Sequence, residues 1–192
     1  ANIDALLMFR QESMYWLTGY DTFGYVYFQS LVLTADGRVV LMTRAPDLRQ
    51  AQNTSNIADI RIWVDRDGAS PADDLRAILD ELALAGGRLG VEYEAYGLTG
   101  RNAMRLNAAL DGFATLVDES EMVSRLRLVK SAAEIAYTRR AGALADDALD
   151  AAHALIASGV DEGDILAAMH SAIYRGGGDD PGNEFVIGSG PD

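Results

Sequence analysis

Cysteine is absent from the 192 residues, so neither a disulfide framework nor a thiolate metal site can be built. Lysine is almost absent, Lys130 being the single one among 16 basic residues. Histidine is scarce too, with only His153 and His170. Long apolar runs are missing: Leu31 to Leu33 and Val39 to Met42 are far too short to cross a bilayer. Asp4, Arg10 and Glu12 interrupt the first apolar stretch, which therefore does not read as a secretory signal. No membrane partner is expected, and the expected location is cytoplasmic. Positive charge is in deficit as well. A net charge of −13 and a pI near 4.4 repel phosphate backbones, so no nucleic-acid partner is expected. What remains is 49% hydrophobic with a mean hydropathy of +0.00, which suits a soluble globular protein of one or two domains with enough apolar material for a core.

Two compositions meet near residue 120. Before it, short β-like runs alternate with helical patterns; after it, Ala-rich helices dominate. Ala5 to Phe9 reads as a buried strand, and its place at the very start suggests a covering helix upstream. Tyr25 to Thr34 and Arg38 to Thr43 read as strands joined by a tight turn at Ala35-Asp36-Gly37, because Asp-Gly between β-branched runs is a hairpin signal. Further strands are predicted at Ile60 to Val64, Arg88 to Glu92 and Phe113 to Val117. Pro71, with Ser70 as cap, starts a helix to about Leu84, stopped by Gly86-Gly87; Thr99 caps another to about Leu110. Strands alternating with helices imply an α/β layer with a mixed sheet flanked by helices.

After Glu121 to Lys130, Ser131-Ala132-Ala133-Glu134 forms a capping box. A long helix follows, with Ile135, Ala141, Leu144, Leu149, Ala152 and Leu155 on its apolar face, until Gly159. Asp161 caps a second helix to about Tyr174, ended by Gly176-Gly177-Gly178. Glu184 to Ile187 then reads as a strand.

Few residues stand in a pattern that points to chemistry. Neither histidine has a partner at metal-ligand spacing; Asp146, Asp147 and Asp150 beside His153 read as an acidic helix face. The glycines at 176 to 178 and 188 to 190 lack the lysine and element order of a phosphate loop. Ser189 sits in half of a nucleophile elbow without its flanking pattern. Arg44, after the second hairpin strand, has the geometry to grip a carboxylate, although a plain surface arginine is the simpler reading. The one unusual concentration is aromatic: Met14 to Phe28 holds seven of fifteen aromatics. Trp16, Tyr20, Phe23, Tyr25 and Phe28 are the candidate substrate-binding set, lining a small-molecule pocket or simply filling core.

Four segments, taken in order, carry a resemblance. Ile3-Asp4-Ala5-Leu6-Leu7 with Met14-Tyr15-Trp16-Leu17-Thr18-Gly19-Tyr20 resembles the opening of the creatinase-type N-terminal domain. Leu126 to Ile135 resembles the junction into the pita-bread catalytic domain; Gly159 to Ile165 and Phe185 to Gly190 resemble its next link and strand. The resemblance implies residues 1–122 as the N-terminal domain, lacking its first helix, and 126–192 as the first helices and strand of the catalytic domain. It implies a C–N bond hydrolase. The wording Met14 to Gly24 and Asn183 to Gly190 is most similar to ectoine hydrolases, which open a cyclic amidine. An Xaa-Pro peptidase with two divalent metals is the rival reading, and a non-catalytic binding or dimerisation module a third. The five metal ligands of the family's peptidases would lie beyond Asp192, so the resemblance assigns this chain no catalytic residue, metal or other cofactor. On its own the chain is expected to be inert. The resemblance also implies a homodimer and a small-molecule substrate, the segment after Thr18-Gly19 lying over a neighbouring active site with Tyr27-Phe28 at its aromatic position. Gln29 and Ser30 depart from creatinase there, which argues against creatine.

Overall fold

The computed structural model describes residues 2–180 and 182–188. It divides into two compact units, Ala1–Leu128 and Val129–Asp192. In the first, six strands form one mixed sheet: β1 (Ala5–Met8), β2 (Ser30–Thr34), β3 (Val39–Arg44), β4 (Asp59–Trp63), β5 (Arg88–Val91) and β6 (Thr115–Asp118). Their order is β4-β3-β2-β1-β5-β6. β1 runs antiparallel to β2 with Leu6 opposite Leu33, and β2 antiparallel to β3 with Val32 opposite Val40. The other neighbours, β3–β4, β1–β5 and β5–β6, are parallel. Only β2 therefore runs against the rest.

Side-chain alternation splits the core in two. On one face Ala5, Leu7 and Phe9 join Val32, Val40, Met42, Leu89 and Val91. Helices α3 (Pro71–Glu81) and α4 (Gly100–Leu110) cover them with Leu75, Ile78, Leu79, Leu106 and Leu110. The other face takes Leu6, Met8, Leu31 and Leu41, covered by Met14 of α1 (Gln11–Thr18), Ala51 of α2 (Leu48–Thr54) and Val123 of α5 (Met122–Leu126). Helices on both faces of a sheet make a three-layer α/β/α domain.

Two expectations for this unit need correction. The strand predicted from Tyr25 begins only at Ser30; Gly24–Val26 is a single 3₁₀ turn, with the Tyr27 amide donating to the Gly24 carbonyl. A Cβ on Gly24 would lie 2.6 Å from the Asp47 carboxylate, so the chain is pressed against that side chain and cannot enter the pleat. Ser70 occupies the N-cap of α3 but makes no capping bond, leaving the start to Pro71. Helices α1 and α2 had no sequence forecast: each is short, and α2 is anchored by the single buried Ala51.

The second unit is built on α6 (Ala132–Leu155) and α7 (Glu162–Arg175). The capping box forms as expected, Ser131 Oγ accepting from the Glu134 amide at 3.2 Å and Glu134 accepting from the Ser131 amide at 2.7 Å. Asp161 caps α7 by accepting from the Gly163 amide. A Cβ on Gly176 would come within 2.2 Å of Leu144, so glycine lets the end of α7 close onto α6. Of the forecast apolar face of α6, Ala152 is buried, whereas Ile135, Leu149 and Leu155 are exposed. The expected strand at Glu184–Ile187 is not formed. A strand requires a neighbour for its backbone groups, and none of the described residues pairs with it, leaving Val186 exposed. Ser189 lies outside the described residues.

Candidate functional site

Because every strand but β2 runs the same way, the carboxyl ends of β1, β3, β4, β5 and β6 share one edge of the sheet. Open α/β sheets bind ligands outside such carboxyl ends. The loop Gly19–Gln29 leads into β2 and lies along this edge, since Leu31 near the start of β2 pairs with Met8 at the end of β1.

The loop is held from several sides. Gly19 ends α1 in the left-handed conformation (φ 78°), its amide donating to Tyr15 O. A Cβ there would lie 2.9 Å from the Thr54 carbonyl, and one on Gly97 would lie 2.6 Å from the Tyr27 carbonyl. Beneath, the Tyr20 hydroxyl donates to Gln29 Oε1 at 3.1 Å and pairs with Thr43 Oγ1 at 3.1 Å. Gln11 Nε2 donates to the Tyr20 carbonyl at 2.7 Å, and Gln29 Nε2 donates back to Gln11 Oε1 at 3.1 Å. Burial pushes the Tyr20 phenol above its ordinary value, against hydrogen bonds from Thr22 and Thr43 that lower it. Tyr20 and Gln29, the two ends of the loop, are thus tied to each other, to α1 and to β3.

Arg44 stands at the end of β3. Its Nε donates to Asp47 Oδ2 at 3.2 Å, and its guanidinium lies 3.4 Å from the Tyr27 ring centroid. Asp47 is buried and also accepts from Thr22 Oγ1 at 3.4 Å. The arginine is therefore built into the loop rather than lying free on the surface.

At the ends of β1 and β5 lies a buried carboxyl group. Glu92 Oε2 accepts from the amides of Phe9 (3.2 Å) and Arg10 (3.1 Å), and Oε1 pairs with Ser13 Oγ at 2.6 Å. Burial raises its pKa, opposed by Ser13, the Arg10 amide, the Arg10 charge and the Phe9 amide. Further along, a cleft of about 500 Å³ is lined by Tyr93, Glu94, Asp118, Glu119, Ser120, Glu121 and Arg125. Hydrogen bonds from the Ser120 hydroxyl and amide hold the Asp118 carboxyl below the usual range. Among the described residues no three His, Asp or Glu converge as a group able to hold a metal ion.

The five aromatics singled out from the sequence separate. Tyr20 and Phe28 are core, on opposite faces of the sheet, with Phe9 edge-on to Phe28 at 5.4 Å. Trp16 is exposed on α1. Phe23 is 81% exposed and meets Tyr25 edge-on at 6.2 Å. Tyr25 in turn meets Tyr96, 79% exposed on the β5–α4 connection, at 6.2 Å. Sequence reasoning passed over Tyr96, Asp47 and Glu92. Tyr96 gave no signal, being distant in sequence, but a carboxylate directly after the apolar Leu89-Gly90-Val91 was a visible anomaly.

The family model of the creatinase/prolidase N-terminal domain matches residues 1–129, two thirds of the chain. The chain belongs to the creatinase/prolidase family. It is 30% identical over 182 residues to an uncharacterised hydrolase/peptidase of Sinorhizobium fredii, covering 91% of this chain and 46% of that one. It is 28% identical over 189 residues to the ectoine hydrolase of Halomonas elongata, covering 91% and 44%. Among solved structures, an Xaa-Pro dipeptidase from Bacillus anthracis superposes with a TM-score of 0.70 at 21% identity, over 90% of this chain and 44% of that one. A prolidase from Thermococcus sibiricus gives 0.75 at 17%, over 93% and 47%. These likenesses establish the fold, a creatinase/prolidase N-terminal α/β domain running on into pita-bread relatives. This creatinase/prolidase chain spans a little under half the length of the relatives it matches.

Proposed function

We propose that the protein carrying this chain is a C–N bond hydrolase acting on a small compound, with ectoine the favoured substrate, and that the carboxyl edge of the sheet is its substrate side. The carrying observation is the likeness to the Halomonas elongata ectoine hydrolase across 91% of the chain. The edge supports a binding role: Phe23 and Tyr96 offer exposed rings on either side of the half-buried Tyr25, and Arg44, tied to Asp47 and Tyr27, orders the loop that carries them. Exposed aromatic area suits a small, flat molecule. The same exposed rings suit contact with a second copy in a homodimer.

A second reading, an Xaa-Pro dipeptidase with two divalent metals, draws on the Sinorhizobium fredii relative, which is named a hydrolase/peptidase. The described residues do not supply such a centre, so no step through metals is derived from this chain. In either reading its residues bind and orient, and water-activating groups come from elsewhere in the protein.

The test is to assay the full-length protein for ectoine ring opening and for cleavage of an Xaa-Pro dipeptide, each with and without chelator. Ectoine opening that survives chelator is the expected result. Dipeptide cleavage abolished by chelator, with ectoine untouched, replaces it with the dinuclear peptidase.

A further inference from the structure

Asp47 stands immediately before α2, where an aspartate ordinarily turns its carboxylate onto the first free amides of its own helix. It makes no such bond. A 3₁₀ turn, Ala45–Asp47, runs straight into α2, so the Asp47 backbone is already helical (φ −87°, ψ −4°) rather than extended as at a cap. The residue is buried nonetheless, and a carboxylate taken out of water needs partners. Its two hydrogen bonds lead away from α2. Arg44 Nε donates to Oδ2 at 3.2 Å from the end of β3, and Thr22 Oγ1 donates to Oδ1 at 3.4 Å from the loop Gly19–Gln29.

Each bond passes on to a further part of the loop. While donating to Asp47, the Thr22 hydroxyl accepts from the Gly24 amide at 2.8 Å, which closes the turn that carries Phe23. The Arg44 guanidinium lies 3.4 Å from the Tyr27 ring centroid. Between these points the backbone of Gly24 rests on the carboxylate itself: a Cβ there would lie 2.6 and 2.7 Å from its two oxygens. Gly97, in the β5–α4 connection, presses on the same stretch, since its Cβ would lie 2.6 Å from the Tyr27 carbonyl and 2.8 Å from that of Tyr25. The loop is thus gripped at Thr22, Gly24 and Tyr27 by contacts that meet at one carboxylate. A plain ion pair between Asp47 and Arg44 requires neither the burial nor the bare Gly24.

We propose that Asp47 is the positioning residue of the aromatic loop: its buried carboxylate pins the turn Thr22-Phe23-Gly24 and seats the Arg44 guanidinium on Tyr27, so that the rings of Phe23 and Tyr25 stand in one place at the carboxyl edge. Tyr25 is placed along with Phe23, which meets it edge-on at 6.2 Å. A ring on a wandering loop gives up chain and side-chain freedom when it binds, whereas a loop ordered beforehand avoids that cost. The part played in binding rests on the carboxyl edge being the substrate side; the pinning of the loop does not.

The experiment compares Asp47→Ala, Thr22→Val and Gly24→Ala with the unchanged chain, by chymotrypsin digestion under native conditions and by the NMR signal of the Arg44 Nε–H. Chymotrypsin cuts after aromatic residues in segments that open locally. Cuts after Phe23, Tyr25 and Tyr27 report the loop, whereas cuts after the buried Phe9 and Phe113 report unfolding of the whole unit. In Asp47→Ala the loop cuts should become about ten-fold faster, with those after Phe9 and Phe113 unchanged. The Arg44 signal, shielded by the Tyr27 ring in the unchanged chain, should move toward that of a free arginine. Gly24→Ala, which pushes the carboxylate from its seat, should act in the same direction. Thr22→Val keeps the side chain's shape and breaks only the link to the turn. It should speed the loop cuts while leaving the Arg44 signal in place, and it decides the matter if Asp47→Ala does not fold. Loop cuts unchanged in Asp47→Ala or in Thr22→Val overturn the proposal, as does a rise matched after Phe9 and Phe113. In the full-length protein, Thr22→Val should raise KM with kcat little changed. An unchanged KM beside faster loop cuts would remove the edge from substrate binding and leave the pin standing.

Discussion

The two faces of the sheet differ in kind. The α3/α4 face is a large apolar core, with Leu7, Leu75, Leu79, Leu89 and Leu106 wholly inaccessible. The α1/α2/α5 face has a smaller apolar cluster and carries the buried polar side chains of Ser13, Tyr20, Gln29, Thr43 and Glu92. Those polar groups crowd toward the carboxyl edge. A buried polar group without partners costs stability, so a fold concentrates them where a geometry has to be specified. The apolar face holds the domain together, while the polar face fixes where one loop sits.

The largest effect should come from the apolar face. Leu75→Ala leaves a cavity between α3 and the sheet and is expected to cost about 3–4 kcal/mol, read as a lower midpoint in urea unfolding with an unchanged slope. A loss as small as that of a surface substitution would mean the two faces do not divide the work as described.

Next is Glu92→Ala. It leaves the Phe9 and Arg10 amides without their acceptor and is expected to cost about 2–3 kcal/mol. Glu92→Gln separates charge from hydrogen bonding. Because burial raises the folded value, the folded state keeps its proton longer than the unfolded chain. Its contribution is full below the ordinary glutamate pKa and declines as pH rises through the raised value. Asp118 is held below its usual range and works in the opposite direction, losing its contribution as pH falls. Unfolding midpoints between pH 5 and 8.5 should therefore fall in wild type and flatten in Glu92→Gln. An equal slope in both would remove Glu92 from the pH dependence.

Third is Tyr20→Phe, which keeps the ring buried but removes the hydroxyl shared by Gln29 and Thr43. About 1 kcal/mol is expected, and a double-mutant cycle with Thr43→Val should show coupling. Strict additivity would mean the network under the loop is not cooperative.

The apolar face was the more legible of the two. Its strands announce themselves as β-branched runs, its hairpin by Asp36-Gly37, and α4 by Thr99, whose side chain accepts from the Asn102 amide as expected. The polar face was opaque for physical reasons. α1 draws its cap from Glu92, so no local signal marked its start. The segment Tyr25–Phe28, rich in residues that favour strands, is kept out of the sheet by Gly24 against Asp47 and Gly97 against Tyr27, contacts that only the tertiary fold creates. The same override divided the aromatic cluster: Tyr20 and Phe28 went to core, and the surface rings gained Tyr96 from a distant connection.

The smallest effect on stability should carry the most information about the edge. Phe23 is 81% exposed, so Phe23→Ala is expected to shift unfolding by less than about 0.5 kcal/mol. Phe28→Ala, at 4% exposure within the core, should cost about 3 kcal/mol or more and obscure any reading of function. In the full-length protein Phe23→Ala should raise KM several-fold with kcat little changed, as expected when a ring contributes binding equally to ground and transition states. An unchanged KM alongside unchanged stability would leave the exposed rings of this edge without a part in substrate binding.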